Sequence, residues 1–408
     1  MGDWKFNKGE WGEAYVFLRL LGVGRIFGAD REFKKDENVY LDILEIYRKD
    51  KENLRQFFRE FSDDRGDFIV RTELPDGDIQ IITATIFDEQ ASFIHKCLTA
   101  RNEKMDIMSI MPFLNSLGLT QPAAGYLNTE ERERYGAKTD IILRTQSSLD
   151  GVKSTEGFSI KSYFGSKPTL FNASKASAFR FRILGCNDEI ATKLNIIGEN
   201  RELDIYKEIY SDPNISLEYV RVRSENFANN IMYADSNMDI ILKTALLLNV
   251  GYGCEPISDI VKITEGLAEI DPIGKGLGLN YYEYKMKNLI FDAFSGLTAS
   301  TPWDGRKRLT GGYIDVSKNG EILYYRAISD DVFSTFLYKN TKFDRPDRGV
   351  NKDIAVAKAK AFLEGKELSE AEIQNIREKG HGLRCDFGYV FKEENEWYID
   401  LNFQIRFK

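Results

Sequence analysis

Two short apolar segments, close together in the chain, set the strongest limit on how it can fold. Residues 139–145 (TDIILRT) and 157–164 (GFSIKSYF) carry apolar and aromatic side chains, and a polar turn region at 147–151 separates them. The pattern predicts a β-hairpin. Side chains alternate along a strand, so Ser159 and Lys161 share a face of the second segment, and Asp140 stands at the start of the first. If the two strands are neighbours, Asp140 and Lys161 meet at their ends. Residues 9–22 predict a helix, because Trp11, Ala14, Tyr15, Leu18 and Leu21 recur at helical spacing and Gly22 can end it. Only Arg19 interrupts the apolar run from Ala14 to Leu21, which predicts burial on most sides of this helix. Glu13 shares a stripe with Val16, Phe17 and Leu20.

Beyond these elements, the charged stretch 50–67 predicts a solvated helix and loop, and the Asp76-Gly77 turn separates strands expected at 68–72 and 79–85. Residues 188–294 predict a mixed helical region with one strand at 215–223. Asn319-Gly320 between two alternating runs is a strong hairpin signal, residues 353–379 predict a charged helical insert, and the chain closes on a β-type WYIDLNFQIRF. The expected class is α/β, with a catalytic region at 1–187, a mainly helical region at 188–300 and a β-rich, DNA-contacting region at 301–408. A chain of 408 residues suits two or three packed units at roughly 150 residues each. No segment approaches the about 18 uninterrupted apolar residues of a membrane span, and no apolar leader follows Met1, so a soluble, cytoplasmic protein is expected. The four cysteines form no C-x-x-C pair, so neither a disulfide framework nor a cysteine zinc site is suggested.

The histidine count narrows the chemistry. His95 and His381 cannot supply an HNH centre, paired H-x-K motifs or an H-E-x-x-H zinc site. Hydrolysis would therefore run on carboxylates, lysines and a hard metal ion such as magnesium. Asp140 with Lys161 has the spacing of a PD-(D/E)xK nuclease, with Thr139 in the proline position and Ser159 where a second acid usually stands. The bland alternative is a pair of solvated or salt-bridged residues. Glu13 could supply the missing acid, since a carboxylate on an apolar stripe is costly to bury without a cation, or it could be a first-turn glutamate favoured by the helix dipole. Glu10 and Glu156 are weaker alternatives.

Although the net charge is −8, no acidic residue occurs between Gly157 and Asn187. Lys167, Lys175, Arg180 and Arg182 lie in this segment among serines, threonines and asparagines, a mixture suited to phosphate contacts. An exposed loop with a few cations is the alternative. Arg306, Lys307 and Arg308 form a second basic cluster, which could equally be a solvated face.

At these residues the sequence resembles the HpaII family of type II restriction endonucleases. The resemblance is carried by GEAYVFLRLLG, KTDIILRT, GFSIKSYFGSKPTLFNAS, GLTASTPWDG, TGGYIDVSKNGEILYY, FLYKNTKFD and LNFQIRFK, in the family's order. It implies a PD-(D/E)xK-like core, magnesium, and cleavage of duplex DNA at a short site such as CCGG. It also places Asp140 and Lys161 in the catalytic positions, with Glu13 beside them. A palindromic target would be matched by a two-fold homodimer. The insert at 353–379 and the run Arg345-Pro346-Asp347-Arg348 depart from the family pattern. Rival readings are a DNA-binding module with a decayed centre, motivated by Ser159, and a structure- or RNA-directed nuclease.

Overall fold

The computed structural model describes residues 6–29, 34–100, 106–136, 138–165, 167–199, 202–253, 255–262, 267–305, 310–326, 330–344, 349–379 and 387–408. Its strands are β1 (Arg25–Ala29), β2 (Lys35–Asp50), β3 (Asn53–Ser62), β4 (Asp67–Glu73), β5 (Ile79–Thr83), β6 (Ile141–Ser147), β7 (Lys153–Ser162) and β8 (Thr169–Phe171). They continue with β9 (Phe179–Leu184), β10 (Ser216–Val222), β11 (Gly312–Val316), β12 (Ile322–Arg326), β13 (Thr341–Asp344), β14 (Val390–Glu393), β15 (Glu396–Leu401) and β16 (Gln404–Phe407). Helices α1 (Lys8–Val23) and α2 (Ala84–Thr99) pack together in the N-terminal part. The class is mixed α/β, as expected. No helix among the described residues is long and apolar enough to cross a membrane.

The chain divides into two compact units, one of Met1–Pro168 with Lys307–Phe333, the other of Thr169–Arg306 with Ser334–Lys408. This differs from the expected consecutive division at 187 and 300. The physical reason is strand pairing: β11 lies parallel to β7, with Tyr313 opposite Ser159 and Asp315 opposite Lys161, and β12 follows antiparallel. The hairpin that joins β11 and β12 turns at Gly320, whose φ of 85° is a conformation that side chains with a Cβ rarely adopt.

In the first unit a nine-stranded sheet runs β1-β12-β11-β7-β6-β2-β3-β4-β5, and a further β1–β2 pairing closes six of these strands into a ring. The expected hairpin is β6 and β7. The charged stretch 50–67, expected as helix and loop, instead forms β3 and the turn after it. Its charges lie on a strand held on both sides, by β2 and β4, while Phe57 is fully buried. Pairing with neighbours overrode the local polar pattern.

Asn7 caps α1 by accepting from Gly9 and Glu10 N–H groups, and the Glu10 carboxylate accepts in return from Asn7 N at 2.6 Å. The helix runs past the expected Gly22 to a left-handed cap at Gly24. Nine of its residues are buried, in a core shared with Ile141, Leu143, Phe158, Ile160, Ile314 and Val316. In the second unit β10-β9-β15-β14 form one sheet and β13-β16-β8 another, among helices that include the predicted helical insert, observed as Val350–Leu363 and Glu370–Lys379.

Candidate active site

Backbone register brings Asp140 to β7. Ile141 pairs with Phe158, and one residue earlier Asp140 N donates to Phe158 O at 2.9 Å. The carboxylate Oδ2 then accepts from Ile160 N at 2.7 Å and from the Ser159 hydroxyl at 3.1 Å. Ser159 therefore orients the acid rather than replacing one. Both donors fall on Oδ2, which leaves Oδ1 its lone pairs for a further partner. Thr139, in the proline position, spends its hydroxyl on Tyr135 O at 2.6 Å. Lys161 follows Ser159 on the same face, and its positive charge lowers the carboxyl groups of both Asp140 and Glu13.

Glu13 reaches this place because α1 lies directly on β7. A Cβ at Gly12 would collide with the side chain of Ser162, so only glycine permits the approach. Glu13 Oε2 accepts from Ala124 N at 2.9 Å. Burial pushes its carboxyl up to about 8, and the neighbouring Asp140 adds to the shift; the Ala124 N–H, Arg48 and Lys161 act in the opposite direction. Burial also raises Asp140, against Lys161, the Ile160 and Ser159 donors, and Lys138. The other candidate acids are committed elsewhere: Glu10 closes the capping box, and Glu156 pairs with Arg326 at 3.3 Å.

Two residues here were not singled out from the sequence. Lys138 stands near Asp140 and Lys161, and burial together with the Lys161 charge lowers its ammonium to about 7. Arg48 is 2% exposed and is lowered to about 10 by burial, although Glu13 and Asp50 support its charge. The position of Lys138 next to the Thr139-Asp140 pair was the only signal available for it.

Among the described residues, no group of three or more histidine, cysteine or acidic side chains converges as a metal cage. Two carboxylates that burial raises, with the Asp140 charge raising Glu13 further, do suit a hard divalent cation. Magnesium in particular is commonly held by one or two carboxylates while it keeps several waters.

The four cations of the acid-free segment do not form one phosphate-binding row. Lys167 and Lys175 are exposed. Arg180 is buried and bound to Asp400, with Nε to Oδ1 at 2.9 Å and Nη2 to Oδ2 at 3.2 Å, and it also pairs with Glu393. Arg182 pairs with Glu218 and, at 3.8 Å, with Glu396. The expectation of free guanidinium groups is corrected for both arginines, because β10, β14 and β15 supply the acids that the segment itself lacks. Arg306, Lys307 and Arg308 lie outside the described residues, as do residues 345–348.

The profile described as HpaII restriction endonuclease matches residues 7–352. The chain is also 30% identical over 405 residues to the type II restriction enzyme HpaII of Haemophilus parainfluenzae, covering 98% of each protein. The chain belongs to the HpaII restriction endonuclease family. Membership makes it a type II site-specific deoxyribonuclease whose substrate is DNA. The family match includes Glu13, Asp140 and Lys161 and ends within the first turns of the helix Val350–Leu363, where the expected insert begins. No solved structure matches the chain.

Proposed function

We propose that this HpaII-family enzyme cleaves duplex DNA at a short specific site, CCGG or a related sequence, through a magnesium-dependent centre of the PD-(D/E)xK type. The observation that carries the reading is the convergence of Asp140, Glu13 and Lys161 on the end of one hairpin, with both carboxyl groups raised above their ordinary values. Asp140 and Glu13 would hold the cation. When bound, it supplies positive charge at the scissile phosphate and lowers the pKa of an attacking water.

The chain's own residues account for the rest of the arrangement. Ser159 and the Ile160 N–H hold Asp140 Oδ2 and leave Oδ1 for the site. The Ala124 N–H holds one Glu13 oxygen in the same way. Lys161, which makes no hydrogen bond or ion pair among the described residues, is available to orient the water or take its proton. Lys138 adds a second ammonium near the same carboxylate, where it can offset phosphate charge. Lys167 and Lys175 remain candidates for contacts to the DNA backbone, with Arg306, Lys307 and Arg308 as a second set. A two-fold homodimer would fit a palindromic target.

The test is cleavage of plasmid DNA by Asp140→Ala and Lys161→Ala, with folding checked by circular dichroism and duplex binding measured in calcium. Loss of cleavage with retained binding supports the site. Wild-type cleavage by either variant rejects it. Sequencing the ends of a digested plasmid identifies the target, and sedimentation in solution gives the oligomeric state.

A further inference from the structure

Three consecutive charged residues end β2, and all are buried: Arg48, Lys49 and Asp50 are 2%, 3% and 5% exposed. Burying such groups costs several kcal/mol each unless they are partnered, so three in a row call for a common purpose. Their partners lie in or next to one short loop. Asp50 Oδ1 accepts from Thr120 N at 2.8 Å and from the Thr120 hydroxyl at 3.0 Å. Lys49 binds Glu131 at 2.8 Å, and its carbonyl accepts from Gly125 N at 2.8 Å. Arg48 Nη2 donates to Pro122 O. The guanidinium also lies 4.9 Å from the Phe17 ring of α1, while its Nη1 is buried with no hydrogen-bond partner.

Residues 120–125 are thus tied to the end of β2 at three points. The central tie, at Pro122, stands two residues from Ala124, whose N–H donates to Glu13. Among the described residues, no other hydrogen bond joins this loop to the candidate site. We infer that Arg48 is a positioning residue for Glu13: by holding Pro122 it keeps the Ala124 N–H on the Glu13 carboxylate and turns that carboxylate toward Asp140. The inference rests on the proposed role of Glu13 in metal binding. Arg48 does not touch the reacting atoms. Its positive charge, beside a buried acid, also offsets part of the cost of keeping that acid ionised.

The experiment uses Arg48→Met, Arg48→Lys, Glu13→Gln and the double variant Arg48→Met/Glu13→Gln in the full chain. Calcium binding is measured by calorimetry, with no turnover, and the magnesium dependence of cleavage is measured beside it. Partners that orient a metal ligand typically govern about 10- to 100-fold in metal affinity, so Arg48→Met should weaken calcium binding by about that factor and shift the magnesium midpoint equally. Arg48→Lys, which keeps the charge and one donor, should recover part of the loss. In the Glu13→Gln background Arg48→Met should add nothing further, because the group it positions is already gone. Parent-like metal binding in Arg48→Met, or an additive loss in the double variant, overturns the inference. If Arg48→Met does not fold, Arg48→Lys decides: a weakened calcium affinity supports the role and a parent-like one overturns it. If Glu13→Gln itself binds metal like the parent, the reading of Glu13 fails instead.

Discussion

Replacing Glu13 with glutamine keeps the shape of the side chain and removes its titration, which gives a stability signature that requires no DNA. The carboxyl titrates at about 8 in the folded protein and near 4.5 in an exposed chain. The folded state therefore holds a proton that the unfolded state releases over this range, and raising the pH favours unfolding. The contribution is fully present below pH 4.5 and is lost as pH rises through about 8. At about 1.4 kcal/mol for each pH unit, the metal-free parent should lose about 3 kcal/mol by pH 7 from this group alone. Glu13→Gln should lack that slope. A bound divalent cation should reverse it in the parent, because the cation favours the ionised carboxylate and expels its proton on binding. Urea midpoints of both proteins, in chelator and then in excess calcium, across mildly acid to mildly alkaline pH, provide the measurement. Calorimetry in buffers of different ionisation enthalpy counts the protons released. Parallel pH profiles for the two proteins would refute the claim that Glu13 is held protonated by burial beside Asp140.

Lys161→Ala should lower the cleavage rate by about 10²- to 10⁴-fold, the usual weight of a positioned proton-transfer group, while the magnesium midpoint moves little; single-turnover cleavage across a magnesium series separates the two effects. Ser159→Ala should cost far less than Asp140→Ala in the same assay, because the Ile160 N–H still holds the Asp140 carboxylate. Arg180→Ala should destabilise the protein by about 1 to 3 kcal/mol, since the buried Asp400 loses two charge-assisted hydrogen bonds but keeps Arg223 at 3.0 Å, and urea unfolding reports it. Lys167→Ala, at an exposed cation, should leave stability unchanged and weaken binding to target and random duplexes alike. If it contacts a phosphate, the slope of log K against log salt should fall by about one.

Local signals made much of the first unit legible. The β6–β7 and β11–β12 hairpins were read from alternation and turn residues, and α1 from its apolar run, because each is decided by residues close in sequence. The position of β11 was not legible. Its pairing with β7 joins residues more than 150 positions apart, as Gly157 N to Thr310 Oγ1 also does at 2.8 Å, and no local pattern encodes such a partner. The same limit explains β3: Leu54, Arg55, Gln56, Arg59 and Glu60 look like a solvated stretch until the strands on both sides are known.

The charged residues divide along the same line. Asp140, Lys161 and Glu13 could be singled out because a polar group at the end of an apolar strand, or on an apolar helix stripe, conflicts with its immediate surroundings. Arg48, Lys49 and Asp50 present no such conflict, since a run of charges at a strand end resembles the start of a solvated turn. Their burial comes from residues 120–125, about 70 positions later, which cover the strand end and take up its hydrogen bonds. Arg180 shows the opposite error. An acid-free stretch of sequence suggested a cation free for phosphate, yet Asp400 and Glu393 arrive from strands more than 200 positions away. A cation in an acid-free stretch of sequence is therefore informative only once its cross-strand neighbours are known: Lys167 and Arg180 cannot be told apart in the sequence, and differ in the structure because only one of them is buried against carboxylates.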